Sequence, residues 1–343
     1  MAKALDLKQA HFLVTGGAGF IGSNFVHHVH RRFPGARITV LDKLTYAGNL
    51  ANLEDVKDAP GYRFVRGDIC DPHVVADAMK GADVVVNFAA ETHVDRSIED
   101  ASHFVLTDTF GVYVLLDESR RVGVRRFIQV STDEVYGEIL DGEADEDAPL
   151  KARNPYAASK IGGDRLAYAF AVTHGVPAIV TRCSNNYGPY QYPEKLIPLF
   201  VTNALEDKPL PVYGSGRNTR DWIHVEDHCR ALIAILEADD VEGETFNIAG
   251  GNERSVLEIG AVLLERLKKP SSLLAHVTDR IAHDRRYAID ASRLIQKTGF
   301  RPEVEFTKGI EATIDWYVAN RPWWEAIRSG AFQQYYERTY GSR

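Results

Sequence analysis

Cysteine is scarce in this chain, and long apolar runs are missing. Cys70, Cys183 and Cys229 are the only three cysteines among 343 residues, and they are far apart. This spacing predicts neither a disulfide framework nor a zinc site. No apolar stretch is long enough to span a membrane, and the polar N-terminus precedes a run too short for a signal peptide. We therefore expect a soluble protein of the reducing cytoplasm, without a metal.

Basic charge is limited as well. The chain has 40 Lys+Arg against 48 Asp+Glu, a formal charge of −8, and no basic cluster. Neither a nucleic acid nor an anionic membrane surface is therefore an expected partner. A chain of this length accommodates two packed units and a core that needs no disulfides. These features favour an enzyme-sized globular protein.

Short β-rich runs alternate with helical stretches in the first half of the chain. Helices are predicted over 20–33, 102–121 and 154–174, and the runs between them include "HFLVTG", "RITVLD", "DVVVNFAA", "RRFIQVS" and "PAIVTR". Continuous apolar strands separated by helices indicate a parallel sheet covered on both faces. The predicted fold class is α/β, with a Rossmann-type doubly wound parallel sheet.

The pattern changes after about residue 186 to loops rich in Pro and Tyr, with scattered helices. We expect a nucleotide-binding domain over 1–186, to which 221–250 returns. A smaller mixed α/β domain over 187–220 and 251–343 is expected to bind the substrate.

The stretch "TGGAGFIG" carries the first functional motif. Gly17, Gly19 and Gly22 fit G-x-G-x-x-G directly after a strand and at the start of a helix. These positions let the backbone approach a pyrophosphate at the helix N-terminus. Asp42 ends the next strand, 20 residues beyond Gly22, where an acid binds ribose hydroxyls and repels a 2′-phosphate. The motif favours NAD over NADP, and the alternative is a glycine turn without a ligand.

Two further groups of residues point to acid–base chemistry. Tyr156 and Lys160 in "NPYAASK" are four apart, so a helix places the ammonium near the phenol and favours its anion, a general base for a hydroxyl. Asp133 and Glu134 in "STDEVYG" follow an apolar run. Both address a ligand only if the strand has ended at the carboxyl edge of the sheet. Taken singly, each pair is more often a solvated turn or a surface helix pair.

Together these motifs resemble the extended short-chain dehydrogenase/reductase superfamily. Within it, nucleotide-sugar 4,6-dehydratases have the Thr-Asp-Glu sequence found here at Thr132 to Glu134, whereas epimerases have small or hydroxyl residues there. Other stretches are similar to the dehydratases that act on dTDP-glucose: "DKLTYAGN" (42–49), "AAETHVDRSI" (89–98), "NNYGPYQYPEKLIP" (185–198), "RDWIHVEDH" (220–228) and "HDRRYAID" (283–290).

The resemblance implies a reaction and an assembly. Tyr156, aided by Thr132 and Lys160, takes the proton of the sugar 4-hydroxyl while C4 gives a hydride to NAD. Glu134 then removes the C5 proton, Asp133 protonates the departing C6 hydroxyl, and the hydride returns to C6. The implied product is a 4-keto-6-deoxy sugar nucleotide. The helices over 102–121 and 154–174 are implied to form a homodimer interface.

The resemblance also assigns binding residues. The cofactor set is Gly16, Gly17, Gly19, Phe20, Ile21, Gly22, Asp42, Lys43, Leu44, Thr45, Asp68, Ile69, Ala89, Ala90, Thr107, Tyr156, Lys160 and Asn186. The substrate set is His93, Thr132, Asn185, Glu194, Lys195, Pro211, Val212, Tyr213, Arg220, Arg280 and His283. In this set, the two arginines suit a diphosphate because guanidinium groups bind phosphate bidentately.

The chain departs from the family pattern at several positions. Asp108 replaces an expected asparagine, Val112 follows Gly111 where threonine is usual, and Ile281, Ala282 and Val256 also differ. We expect these changes to affect nucleotide binding rather than the acid–base set. The alternatives are a 4,6-dehydratase acting on a UDP-, CDP- or GDP-linked sugar, a 4-epimerase or decarboxylase, and an NAD-binding regulator that has lost catalysis.

Overall fold

Short strands build a central sheet and two small ones. The computed structural model describes residues 5–279, 281 and 283–328. The strands in these residues are β1 (His11–Thr15), β2 (Arg37–Asp42), β3 (Tyr62–Arg66), β4 (Val84–Asn87), β5 (Arg126–Thr132), β6 (Ala178–Cys183), β7 (Asn185–Tyr187), β8 (Leu210–Tyr213), β9 (Thr219–His224), β10 (Thr245–Ile248), β11 (Glu253–Ser255) and β12 (Leu274–Val277).

Helices connect these strands. They are α1 (Phe20–Arg32), α2 (Pro72–Ala78), α3 (Val94–Glu99), α4 (Ser102–Val105), α5 (Val112–Val122), α6 (Pro155–His174), α7 (Leu196–Leu205), α8 (Val225–Glu237), α9 (Val256–Leu267), α10 (Ser292–Thr298), α11 (Phe306–Ala319) and α12 (Arg321–Arg328). A π-helical segment, Leu106–Gly111, joins α4 to α5. No helix in the described ranges is long and apolar enough to cross a membrane.

The central sheet has seven strands in the order β10-β6-β5-β4-β1-β2-β3, and every pairing in it is parallel. One apolar core packs α1 and α8 on one face, and a second packs α2, α5 and α6 on the other. This arrangement confirms the predicted α/β class. The order reverses between β1 and β4, so a crevice opens at the carboxyl ends of these strands.

A separate core fills the smaller part of the molecule. It packs residues of α7, α9 and α11 around β8, and it includes the fully buried Trp324. A second sheet has three strands in the order β11-β9-β7, and a third consists of β8 paired with β12. In the sequence, α8 and β10 lie between β9 and β11, and both belong to the central sheet and its core. The exact domain boundaries stay a prediction.

The predicted helix over 102–121 is not one regular helix. It contains the π-helical segment at Leu106–Gly111, which periodicity of apolar residues does not reveal. The segment packs closely on α6, because a Cβ added at Gly163 would collide with the carbonyl oxygen of Asp108. One at Gly162 would meet the Thr109 hydroxyl. The wider π turn fits this contact and is a common feature of functional sites.

A buried guanidinium joins the elements that carry the acid–base residues. Arg182 on β6 is 1% exposed. Its Nε and Nη2 donate to the Asp164 carboxylate of α6 at 2.8 and 3.1 Å. Its Nη1 donates to the Tyr136 hydroxyl at 2.7 Å and to the Glu146 carbonyl at 3.1 Å. Arg182 therefore ties α6 to the turn that follows β5.

Replacing this guanidinium tests its contribution. Arg182→Met leaves the fully buried Asp164 carboxylate with only the partly exposed Arg165 as an ion-pair partner, so we expect the free energy of unfolding to fall by about 3 kcal/mol, the lower end of the range for a broken buried pair. The matched control is Arg266→Met, which removes an exposed, solvent-screened ion pair with Asp315 and is expected to change the free energy of unfolding far less. Urea denaturation measures both, and equal losses in the two variants would contradict the prediction.

Candidate active site

The turn between β1 and α1 brings the backbone close to the neighbouring strand. Gly16 has φ +66°, and a Cβ there would lie 2.6 Å from the amide nitrogen of Ala89. Only glycine fits such a position without strain. Gly19 caps α1 in an extended conformation without a side chain, which leaves the first N–H groups of the helix accessible. Such a helix start binds phosphate groups.

Asp42 closes one side of this crevice. Its carboxylate accepts from the Leu44 amide at 2.8 Å and from the Ala18 amide at 2.9 Å. Burial raises the pKa of this carboxyl above its ordinary value, and the two amides oppose the rise. The carboxylate is therefore fixed at the end of β2 beside the cavity, where it has further acceptor positions for hydroxyl groups.

The strand β5 ends at Thr132, and the chain then makes a 3₁₀ turn over Asp133–Tyr136. The Thr132 hydroxyl caps this turn by accepting from the Glu134 amide at 3.3 Å, and it donates to Asp133 Oδ1 at 3.2 Å. Because the turn begins here, Asp133 and Glu134 do not alternate across the sheet. Both line the same cavity.

The two carboxyl groups have different surroundings. Asp133 is 3% exposed, and its Oδ2 has no hydrogen-bond partner among the described residues. Burial first, and then the charge of Glu134, raise the pKa of Asp133 to about 8. Glu134 is partly exposed and accepts from Asn154 Nδ2 at 3.3 Å. It lies 3.4 Å from the Tyr287 hydroxyl, which donates to the nearer Asp284 Oδ2 at 2.7 Å. At neutral pH, Asp133 is therefore suited to donate a proton.

Tyr156 and Lys160 lie on the first turns of α6 and line the same cavity. The helix begins at Pro155 because Asn154 caps it, accepting from the Ala157 amide at 2.8 Å. Lys160 Nζ donates to the Val130 carbonyl at 2.8 Å. Burial and then the charge of Glu134 raise the pKa of Tyr156 well above its ordinary value. The protein alone therefore does not produce the lowered tyrosine pKa that the motif predicted.

Comparisons with known proteins show which family has this sequence and fold. Residues 13–313 match the family model described as GDP-mannose 4,6 dehydratase. A dTDP-glucose 4,6-dehydratase of Streptomyces niveus is 50% identical over 92% of this chain and 95% of its own length. A second, from Actinoplanes sp., is 52% identical over 91% of this chain and 99% of its own.

This chain belongs to the dTDP-glucose 4,6-dehydratase family. A solved structure supports the assignment: the dTDP-glucose 4,6-dehydratase DesIV of Streptomyces venezuelae, which has NAD bound, is 48% identical and superposes with a TM-score of 0.90. The superposition covers 92% of this chain and 99% of that one. The resemblance inferred from the motifs is confirmed.

Most residues that the dehydratase pattern assigned to a cofactor lie around one cavity. They are Gly16, Gly19, Phe20, Ile21, Gly22, Asp42, Lys43, Thr45, Asp68, Ile69, Ala89, Ala90, Thr107, Tyr156, Lys160 and Asn186. Two others are close by: Gly17 packs against the Val40 side chain, and Leu44 contributes its amide to Asp42.

The proposed substrate residues divide into two groups. Thr132, Asn185, Glu194 and Lys195 line the cavity. His93, Pro211, Val212, Tyr213, Arg220 and His283 lie outside that lining, and Arg280 lies outside the described residues.

Two members of the outer group have limited means of reaching a ligand in this conformation. Val212 is fully buried in the smaller core, and the predicted contact with a substrate is not open to it. Arg220 donates to the carbonyl oxygens of Thr219 and Asp284 at 2.8 and 3.0 Å. Its guanidinium also stacks on the Tyr287 ring, 4.2 Å from the centroid.

Several cavity residues were not assigned to the site from the sequence, although most lie in stretches quoted above. They are Leu41, Tyr46, Ala47, Gly48, Gly67, Phe88, Glu91, Thr92, Val130, Ser131, Cys183, Ser184, Gln191 and Tyr192. Most lie within a few positions of a predicted residue at a strand end. Extending each motif along its strand–loop junction would have found them, because parallel strands bring their carboxyl ends to one edge.

Proposed function

We propose that this protein converts dTDP-glucose to dTDP-4-keto-6-deoxy-glucose and water with NAD as its cofactor, as a hydro-lyase. The observation that carries the proposal is the pair Asp133 and Glu134 at one cavity with Tyr156. A 4-epimerase or decarboxylase has no use for both carboxyl groups, and a regulator without catalysis has no use for any of the three. The sugar nucleotide is carried over from relatives that are about half identical.

The residues present fit NAD. The glycine turn and the start of α1 suit a pyrophosphate, and Asp42 suits ribose hydroxyls but not a 2′-phosphate. When bound, NAD supplies the hydride acceptor for C4, the hydride returned to C6, and a positive charge that favours ionisation of Tyr156. Tyr156 then takes the proton of the 4-hydroxyl, and Thr132 shares the hydrogen bond to that oxygen. Lys160 supplies a buried positive charge nearby.

The carboxyl pair completes the elimination. The 4-ketone acidifies the C5 proton, which Glu134 accepts as the general base. Asp133 gives its own proton to the departing C6 hydroxyl, so water leaves and a double bond forms between C5 and C6. When the hydride has been returned to C6, C5 regains a proton from Glu134, and the proton that Tyr156 took from the 4-hydroxyl replaces the one that Asp133 gave to the water, so the acid–base set is restored. Neutral Asp133 beside charged Glu134 makes this division possible.

The diphosphate and the nucleoside require residues beyond the carboxyl pair. We assign Asn185, Glu194 and Lys195 to the sugar side because they share the cavity with Asp133. The outer group, with Tyr213, Arg220 and His283, is assigned to the nucleotide. Tyr213 and His283 are in edge contact, with ring centroids 6.1 Å apart, and close together they present a polar and aromatic surface suited to a base and a phosphate.

A homodimer in the reducing cytoplasm is part of this proposal. Apolar side chains on the π segment and α6 are exposed, including Phe110 at 43% and Val172 at 66%. Two such helical faces bury each other in a two-fold interface. The cytoplasmic location rests on the three cysteines, which are all free thiols.

The first prediction concerns cofactor choice. We expect wild-type protein to bind NAD at least about tenfold more tightly than NADP, because the Asp42 carboxylate repels a 2′-phosphate. Asp42→Asn removes the negative charge and is expected to reduce the difference in affinity between NAD and NADP. Equilibrium binding followed by tryptophan fluorescence measures both, with Asp315→Asn on the surface as the control. Equal affinity of the wild type for both cofactors would reject the assignment.

The second prediction separates the two chemical halves. Glu134→Gln is expected to retain hydride transfer but to lose about 10²- to 10⁴-fold in water loss, whereas Tyr156→Phe loses both. Nicotinamide absorbance follows the first half with dTDP-glucose, and deuterium exchange at C5 follows the second. Controls are Glu325→Gln and Tyr62→Phe, away from the cavity. Wild-type C5 exchange in Glu134→Gln would move the base role to Asp133.

The third prediction concerns assembly. Light scattering at micromolar concentration is expected to give the mass of a dimer, and the double variant Phe110→Glu/Val172→Glu is expected to give a monomer, because charges in an apolar interface lose their hydration. Val318→Glu, at an exposed position of α11, is the control and should leave the mass unchanged. A monomeric wild type would refute the interface.

A further inference from the structure

Asp108 is a buried carboxylic acid within the π-helical segment. It is 1% exposed. Its Oδ1 accepts from the Glu91 amide at 3.0 Å, and its Oδ2 lies 2.8 Å from the Ser159 hydroxyl oxygen. Glu91 belongs to a loop that lines the cavity, and Ser159 lies between Tyr156 and Lys160 on α6. Asp108 thus connects two walls of the active site.

The Ser159 hydroxyl has one proton and two neighbours that accept hydrogen bonds. It lies 2.8 Å from Asp108 Oδ2 and 2.8 Å from the Tyr156 carbonyl oxygen. If Asp108 is ionised, Ser159 donates to one of these oxygens, and the other receives no hydrogen bond from it. If Oδ2 carries a proton, Asp108 donates to Ser159 and Ser159 donates to the carbonyl. Only the protonated acid satisfies every contact.

Titratable groups on three elements interact with Asp108. Tyr156 and Lys160 face it from α6, Glu91 faces it from the loop after β4, and Cys70 faces it from the loop after β3. Lys160 favours the ionised carboxyl and Glu91 disfavours it. Burial is the largest effect and raises the pKa of Asp108 to about 7. Both protonation states are therefore accessible in the neutral range.

We propose that Asp108 is a titratable positioning residue of this active site. Its proton orders the hydrogen-bond chain from Asp108 through Ser159 to the backbone of Tyr156, and loss of the proton places a negative charge beside Tyr156 and Lys160. That charge opposes formation of a tyrosinate at position 156. The effect on turnover rests on the proposed function, whereas the buried proton does not.

Asp108→Asn is the informative variant because an amide preserves the contacts without the charge. Its oxygen accepts from the Glu91 amide, and its NH₂ group donates to Ser159, as the protonated acid does. Ser159→Ala is the second variant, since it keeps the carboxyl group and removes both the acceptor of the Asp108 proton and the donor to the ionised carboxylate. The bond to the charged carboxylate is the stronger of the two, so the ionised form loses more. The ionisation of Asp108 is then expected at higher pH than in the wild type.

The first measurement does not depend on activity. Infrared difference spectra of wild type minus Asp108→Asn are expected to contain the carbonyl band of one protonated carboxyl group, which disappears as the pH rises through about 7. The midpoint is expected to be higher in Ser159→Ala. If no protonated band is found above pH 5, or if the midpoint is equal in Ser159→Ala and wild type, the proposal is overturned.

The second measurement is the pH profile of hydride transfer from dTDP-glucose to NAD. Removing the negative charge is expected to shift the midpoint of the rising limb to lower pH by about one unit in Asp108→Asn. Asp315→Asn, at the surface, is expected to match the wild type. Superimposable profiles of Asp108→Asn and wild type would overturn the proposed effect on Tyr156. Absence of dehydratase activity in every variant would overturn the proposed function and leave the infrared result intact.

Thermal stability gives a third readout with a definite sign. The folded protein holds the Asp108 proton at pH values where the unfolded chain has lost it, so this group lowers stability as the pH rises toward about 7. The melting temperature of Asp108→Asn minus that of wild type is therefore expected to increase between about pH 5 and about pH 8. A difference independent of pH indicates a packing effect alone and contradicts the proposal.

Discussion

The buried guanidinium of Arg182 is the contact on which the geometry of the active site depends. It reaches the Asp164 carboxylate on α6 and the Tyr136 hydroxyl in the turn after β5. Tyr136 in turn donates to Asn247 on β10 at 2.8 Å. The helix with the tyrosine and lysine and the turn with the two acids are therefore held at a fixed distance by one charged group. A reaction at adjacent carbons of one sugar requires such a fixed relation.

Burial gives two neighbouring carboxyl groups different tasks. Asp133 is enclosed, and its pKa rises to about 8, whereas Glu134 is partly exposed and contacts the Asn154 amide and the Tyr287 hydroxyl. Asn154 also caps α6, so the start of the helix and the position of the base are linked through one side chain. The elimination needs an acid and a base at the same time, and local environment rather than residue type separates them.

Burial also controls the protonation of Tyr156, which lines the cavity. Tyr156 lies among Glu134, Asp108 and Cys183, and burial keeps it protonated in the protein alone. Lys160 contacts the Val130 carbonyl rather than acting as an isolated charge. Ionisation of the tyrosine is consequently controlled by the net charge that accumulates around it. Asp108 does not line the cavity, but its pKa is about 7. A change in its charge therefore changes the pKa of Tyr156.

The sequence by itself determined the parallel sheet, the glycine turn with Asp42, and the family. Each is encoded locally, by apolar runs, by spacing, or by contiguous motifs such as Thr132 to Glu134. The tertiary structure alone decided which residues meet across the cavity, since Tyr46, Glu91 and Gln191 come from loops that no single motif connects. It also decided the π turn around Asp108 and the pKa of Asp133. These properties arise from close packing and removal of water, which depend on neighbours distant in the chain.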